Sequence, residues 1–289
     1  MLNTRFSVPA DIPAQRQLWK LAFGDTDADL DNFYLNYYRP ERAIVLEEDG
    51  VVKAMFTWFD TTLTLPGKAA TYRAAYVYAL ATHPDCRGRG LAGKLLADGG
   101  DLLRPLGIDL LTTVPAEPSL HRFFAANGFE EAFVMEQREC GPLPGDGPLC
   151  SLRPAEPAYY NKVRESLLNG VPHISFPEEA MAHQLRYCAI SGGGGLFTVE
   201  TPFGPACLCA EQADRELLLV KEVLGCQRAQ TAALEAISAE NPRNHLIIRG
   251  VLGSNPAETV KFGMLKWLIC TNTLDCGDWT SAFLGLAFD

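Results

Sequence analysis

Thr82-His83-Pro84-Asp85-Cys86-Arg87-Gly88-Arg89-Gly90-Leu91-Ala92-Gly93-Lys94-Leu95-Leu96 is a basic, glycine-rich run set between two apolar segments of different periodicity. Ahead of it, Ala75-Tyr76-Val77-Tyr78-Ala79-Leu80-Ala81 is apolar, aromatic and too short for a helix, which predicts a buried strand. Behind it, Leu91, Leu95, Gly99, Leu102, Leu103 and Leu106 fall three or four apart and make one apolar helix face. The order is strand, glycine-rich basic turn, helix. In such a turn glycine lets backbone approach a ligand, and the first amides of the helix lack intrahelical partners. The positive end of the helix dipole adds to them, so an anion is held there without further help. Arg87 and Arg89 bring formal charge to the same place.

Several phosphate loops share this logic, and spacing separates them. A Walker loop needs Gly-x-x-x-x-Gly-Lys-Ser/Thr, which is missing here. Gly88, Gly90 and Gly93 satisfy a bare Gly-x-Gly-x-x-Gly, but a dinucleotide turn carries no arginine. Also present is Arg87-x-x-Gly90-x-Ala92, led by Leu80-Ala81-Thr82-x-Pro84. This resembles the pyrophosphate-binding motif A of the GCN5-related N-acetyltransferases. The resemblance implies an α/β fold with a mixed, mostly antiparallel central sheet flanked by helices, and acetyl-CoA as co-substrate. It also implies that Leu80, Ala81 and Thr82 line the pantetheine arm. Arg87, Gly88, Arg89, Gly90, Leu91 and Ala92 would then hold the pyrophosphate.

Composition bounds the alternatives. A chain of 289 residues is comfortable for two domains, and 47% hydrophobic residues suffice for real cores. A net charge of −10 argues against nucleic acid as a partner and favours a cationic substrate such as an amine. No apolar run approaches a membrane span, and Met1-Leu2-Asn3-Thr4-Arg5 leads into no signal-type segment. The nine cysteines show no zinc spacing, so no metal is expected. Cys207-x-Cys209 fits alternation within a strand, and free thiols in a reducing cytoplasm are the expectation.

In chain order, Val8-Pro9-Ala10-Asp11 ends a first strand and supplies an acidic N-cap to a helix through Leu18, Trp19 and Phe23. A second helix carries Leu30, Phe33, Tyr34 and Tyr37. Ala43–Leu46 and Val51–Leu65 are strands joined at Glu47-Glu48-Asp49-Gly50. Ile108–Val114 is a strand, and a helix opens at Pro118 and closes at Asn127-Gly128. This matches the acetyltransferase order over roughly residues 4–140. The proline- and glycine-rich run at 141–150 reads as a linker between domains at 1–140 and 151–289.

Beyond the linker the chain starts again. Pro154 echoes Pro9, Glu216–Leu224 the fourth strand, Gln227 the position of Arg87, and Leu246 that of Ile108, at nearly constant separation. Phe262-Gly263-Met264 echoes Gly128-Phe129. The second domain therefore reads as a degenerate copy. Gln227-Arg228-Ala229-Gln230-Thr231-Ala232 has no glycine where backbone must meet phosphate, so no coenzyme is expected there. Gly192-Gly193-Gly194-Gly195, which a strand follows, reads as a flexible hairpin loop.

Acetyl transfer to an amine needs a polarised carbonyl, a neutral amine and a proton for the departing thiolate. Related enzymes place a glutamate near strand four and a tyrosine four residues before the Gly-Phe of the last helix. Here that tyrosine position is Phe124, and strand four carries Tyr76 and Tyr78 but no acid. Tyr76, Tyr78, Glu117 and His121 are the candidate acid–base groups, with the terminal carboxylate of Asp289 a further one. The favoured function is acetyl-CoA-dependent N-acetylation of a small-molecule or peptide amine. A non-catalytic acyl-CoA sensor or scaffold is the alternative, and an aminoacyl transferase reading tRNA conflicts with the net charge.

Overall fold

The computed structural model describes residues 1–143, 150–250, 259–270, 279 and 282–288. The chain forms two compact units, each gathered from separate stretches. Unit 1 takes Met1–Leu63, Thr71–Glu131 and Gly263–Asp275; unit 2 takes Thr64–Ala70, Ala132–Phe262 and Cys276–Asp289.

The elements leading through unit 1 are β1 (Leu2–Phe6), α1 (Ile12–Phe23), α2 (Asp27–Asn36), β2 (Ala43–Glu48), β3 (Val51–Leu65), β4 (Ala70–Thr82), α3 (Leu91–Leu103), β5 (Leu110–Thr113), α4 (Pro118–Ala126) and β6 (Glu130–Cys140). Local chemistry accounts for most boundaries. Gly24, at φ 77°, ends α1 by returning its N–H to the Lys20 carbonyl. Thr26 and Asp29 form a reciprocal capping box at the start of α2. Glu48 pairs with Val51, and the two residues between them, Asp49 and Gly50, have φ of 51° and 80°, the left-handed pair that a tight hairpin requires. The expected cap at Asp11 is different. Its carboxylate does not cap α1 but accepts from the Val8 N–H at 2.8 Å and from Arg5 at 2.7 and 3.0 Å. The Arg5 guanidinium accordingly holds this carboxyl below its ordinary pKa.

Strand order in unit 1 is β1-β2-β3-β4-β5, antiparallel at β1/β2 and β2/β3 and parallel at β4/β5. The other side of β5 is covered from far along the chain. Met264–Trp267 of β13 (Thr259–Trp267) pair with it in antiparallel register, Met264 opposite Thr113 and Trp267 opposite Leu110. Phe262-Gly263-Met264 is thus strand, not a counterpart of the Gly128-Phe129 helix end. One face of the sheet packs Ile44, Phe56, Ala75, Val77 and Leu111 against Leu91, Leu95 and Leu103 of α3 and Phe124 of α4. Gly99 belongs to this face because a β-carbon there would come within 2.7 Å of the Phe56 ring.

Unit 2 follows a similar order, with a short extra strand, β8, between its first two helices: β7 (Arg153–Pro154), α5 (Pro157–Leu167), β8 (His173–Ser175), α6 (Glu178–Ile190), β9 (Gly194–Thr201), β10 (Gly204–Asp214), β11 (Leu217–Leu224), α7 (Gln227–Glu240) and β12 (His245–Gly250). Its strands run β6-β12-β11-β10-β9-β7, with β11/β12 parallel and β9/β10 and β10/β11 antiparallel. The registers match as well: Ala74, Ala75 and Tyr76 lie beside Leu110, Leu111 and Thr112, as Leu217, Leu218 and Leu219 lie beside His245, Leu246 and Ile247. Of Gly192–Gly195, the first two lie in the turn from α6 and the last two begin β9, so the run is not a hairpin loop. Gly194 is required there, since a β-carbon would meet the Ala210 carbonyl at 2.1 Å. Phe283, Leu284, Leu286 and Ala287 are buried in unit 2; Asp289 lies outside the described residues.

His183 of α6 is buried beside Phe288, and burial lowers its pKa from the ordinary 6.5 to about 3. The folded ring therefore stays neutral where the unfolded ring takes up a proton. The stability this supplies is present above pH 6.5 and is lost as pH falls from 6.5 towards 3, by up to about 1.4 kcal/mol per pH unit. Urea unfolding at pH 6.5 and pH 5 is expected to show this loss, and His183→Gln should flatten it. An unchanged pH slope in the variant would show that another group is responsible.

Candidate coenzyme and acceptor site of unit 1

The turn between β4 and α3 is open and charged. Gly88 and Gly90 have φ of 75° and 74°, and a β-carbon on either would meet nothing within 4 Å. Gly90 is the N-cap of α3 and brings no capping side chain. The first helical bond runs from the Lys94 N–H to the Gly90 carbonyl at 3.0 Å, which leaves the amides of Leu91, Ala92 and Gly93 ahead of it. Leu91 can offer only its N–H, because its side chain is in the core. Arg87 is exposed, and none of the described residues forms an ion pair with it. Arg89 differs: its guanidinium grips both oxygens of Glu48, at 2.6 and 3.0 Å. The two arginines that the sequence treats alike are therefore unequal. Gly93, the third glycine of the bare pattern, is a packing residue, with the Asn127 side chain 2.5 Å from where its β-carbon would stand.

The second feature is a fork. β4 and β5 pair over three residues only, ending at Tyr76 beside Thr112, while β4 runs on to Thr82. Past the last pair, Thr113 Oγ1 donates to the Val77 carbonyl at 3.4 Å, and on the β3 side Thr57 Oγ1 donates to the Tyr78 carbonyl at 3.1 Å. Ala79 has φ 52°, the left-handed region, at a cost of roughly 1–2 kcal/mol for a residue with a β-carbon. This is a bulge. Ala75 and Val77 face α3 with the usual step of two, and the next residue on that side is Leu80, three further on. Ala81 is buried at the open edge, and the Thr82 hydroxyl is buried with no hydrogen-bond partner among the described residues. An open glycine turn, an uncapped helix start, an exposed arginine and a parted ladder together fit a coenzyme with a pyrophosphate and a long thin arm.

The expected acid–base groups are scattered around this fork. Tyr76 is buried on the face turned away from α3, beside the last paired residue. Tyr78 shares that face and is half-buried, its ring 5.3 Å from Trp19 of α1, 5.8 Å from Phe33 of α2 and 5.3 Å from Phe59 of β3. Glu117 is exposed at the N-cap of α4, where it accepts from Ser119 at 3.3 Å. His121, in the first half of α4, turns Nδ1 to both oxygens of Glu131 on β6, at 2.9 and 3.2 Å. Phe124 is 5% exposed and packs on Phe123 and Phe129, so a hydroxyl added there would be buried in the core. No sequence signal pointed to Glu131, Glu48 or the bulge at Ala79. Among the described residues no group of three His, Cys, Asp or Glu is placed to hold a metal, and no helix is long and apolar enough to cross a membrane.

With this geometry established, comparison with known proteins gives the class. Residues 3–131 match the family model described as acetyltransferase (GNAT) domain. Over those residues the chain is similar to the GNAT acetyltransferases. Solved structures resemble nearly the whole chain. A GCN5-related N-acetyltransferase from Kribbella flavida is 15% identical with a TM-score of 0.68, covering 92% of this chain and 71% of its own. One from Anabaena variabilis is 13% identical at 0.69, covering 93% and 73%. Eis1 from Mycobacterium abscessus is 14% identical at 0.62, covering 92% and 74%. At these identities the likeness is one of fold. No match was found among curated proteins.

If the α3 turn is the pyrophosphate cradle, Gly90→Glu should abolish CoA binding by calorimetry, through bulk, like charge and a strained φ. Thr231→Glu on α7 should leave the affinity unchanged. Arg87→Ala should weaken binding by about tenfold, the scale of one charge-assisted hydrogen bond. Arg89→Ala should weaken it much less, because Glu48 already holds that side chain. Equal losses for the two arginines would overturn the division of labour between them.

Proposed function

We propose that unit 1 transfers the acetyl group of acetyl-CoA directly to the nitrogen of a small-molecule or peptide amine. The observation that carries this reading is the glycine turn at the uncapped start of α3, next to a strand that bulges where its parallel partner has left it. Leu80, Ala81 and Thr82 would lie along the pantetheine arm. The pyrophosphate would be held by Arg87, Gly88 and Gly90 and by the amides of Leu91 and Ala92, with Arg89 bracing the turn through Glu48. Bound acetyl-CoA supplies an activated acyl carbon. The bulge at Ala79 turns backbone out of the ladder, so that an N–H can meet the carbonyl oxygen as it gains charge. The amine nitrogen attacks the carbonyl carbon, the carbon–sulfur bond breaks, and the proton lost by nitrogen must end on sulfur.

Tyr78 is the best-placed donor for that proton, being half-buried and adjacent to the bulge, with Tyr76 second. His121 can receive the proton of the amine. The Glu131 carboxylate accepts from Nδ1–H, which leaves Nε2 as the basic atom. Glu117 is reachable from solvent and has the weakest case. The matching registers of β4/β5 and β11/β12 support reading the second half as a degenerate GNAT copy that binds no coenzyme. Between β11 and α7 there are only two residues, Gly225 and Cys226, where eight separate β4 from α3, and Gln227–Ala232 already lie in the helix. The non-catalytic reading draws on Phe124, buried where the family usually places a tyrosine.

Thiol release across a panel of amines separates the two. A positioned acid contributes roughly 100- to 10,000-fold. Tyr78→Phe or Tyr76→Phe should therefore lower kcat at least about tenfold with little change in Tm. CoA binding with no thiol release for any amine would leave the sensor reading standing. Full activity in both tyrosine variants would move the acid to His121 or Glu117.

A further inference from the structure

We propose that the Tyr78 ring also selects the acceptor, forming an aromatic wall that favours an amine carried on an apolar or aromatic body. This rests on the acyl-transfer reading of the same fork and adds the class of acceptor to it.

β4 sends alternate side chains to opposite faces of the sheet. Ala75 and Val77 belong to the core beneath α3, so Tyr76 and Tyr78 project from the other face. Tyr78 is held on three sides by rings from three elements, Trp19, Phe33 and Phe59. These rings are buried, at 2%, 0% and 0% exposure, as is Tyr76. Tyr78 alone among these five rings keeps part of its surface open. That surface sits beyond the last β4/β5 pair and one residue before the bulge, so it flanks any nucleophile that approaches the bulge.

Two carboxylates border this aromatic cluster. Asp25 accepts from Trp19 Nε1 at 2.7 Å. Asp60 is taken by Arg42 at 2.8 Å and by Trp58 Nε1 at 3.2 Å. An acceptor lying along the wall therefore meets aromatic surface, with Asp25 held on the Trp19 indole and Asp60 on Arg42. Burying an apolar or aromatic body against a fixed ring is favourable, and aromatic pairs gain beyond their area. The distal ammonium of a polar diamine would have to shed water there, a cost that contact with a neutral ring face offsets only in part. The wall is also rigid, so ordering it on binding costs little.

Calorimetric titration of 2-phenylethylamine and of 1,4-diaminobutane into the CoA-loaded full chain tests this without requiring turnover. The wild type is expected to bind 2-phenylethylamine at least about tenfold more tightly than the diamine. Tyr78→Phe should bind it as the wild type does, since the ring remains. Tyr78→Ala should lose about tenfold, and Tyr78→Leu, which refills the space without a ring, should lose less in the same direction. Near-UV circular dichroism of each variant checks that the aromatic cluster is intact. No binding of 2-phenylethylamine by the wild type, preference for the diamine, or unchanged affinity in both the Ala and Leu variants would overturn the wall. A chain that binds 2-phenylethylamine as expected yet releases no thiol would lose the acyl-transfer reading alone. One that releases thiol faster with the diamine would lose the wall alone.

Discussion

The structure of unit 1 depends on backbone hydrogen bonds that the sheet does not make. β4 and β5 share a parallel ladder for three residues. Past Tyr76 the edge of β4 that faced β5 has no strand partner among the described residues. Such an edge is costly unless something else takes up its donors and acceptors. Part of the answer is internal, in the hydroxyl of Thr113 on the Val77 carbonyl. The rest is left open at the place where α3 presents its own unpaired amides. A parted ladder and an uncapped helix start are each a polar deficit. Side by side they leave donors and acceptors that a molecule with a phosphate head and a hydrogen-bonding arm would satisfy.

In unit 2 the same frame is closed. β11 keeps the bulge: Cys209 pairs with Glu222 and Ala210 with Val220, which leaves Lys221 as the extra residue. Leu218, Val220 and Val223 face the core with the same steps of two and three as Ala75, Val77 and Leu80. Where unit 1 has Tyr78 and Ala79, unit 2 has Lys221 and Glu222, both fully buried. Glu211 lies 3.0 Å from Lys221, while Arg164 at 3.1 Å and Tyr160 at 2.7 Å satisfy Glu222. Arg164 also donates to the Leu284 carbonyl, and Gly285, at φ 74°, passes so close to Glu222 that no side chain would fit. Buried charges of this kind are tolerable only when every one is paired. The region equivalent to the open fork is packed with salt bridges and the chain's own last segment.

The candidate site was legible in part. Glycine at 88 and 90, basic residues beside them and an apolar helix face after them are local facts, and local facts survive folding. The unequal fates of Arg87 and Arg89 were not legible, because Glu48 lies forty-one residues away in sequence and reaches Arg89 only through the β2/β3 hairpin. His121 was a candidate by position, whereas Glu131, which orients it, had no signal of its own. Phe124 looked like a missing acid. In the core it is a packing residue that the neighbouring Phe123 and Phe129 require.

Sequence pattern alone specifies the strand–turn–helix around Gly88 and Gly90, the hairpin at Asp49-Gly50 and much of the element order after residue 150. Each comes from short-range periodicity or from a backbone conformation that few residues adopt. Packing between distant segments sets that β5 is flanked by a strand from residues 264–267, that burial disfavours a charged His183, and that Tyr78 keeps part of its ring open while Trp19, Phe33 and Phe59 are buried. Those outcomes depend on which distant segments exclude water from one another, and no spacing along the chain encodes that.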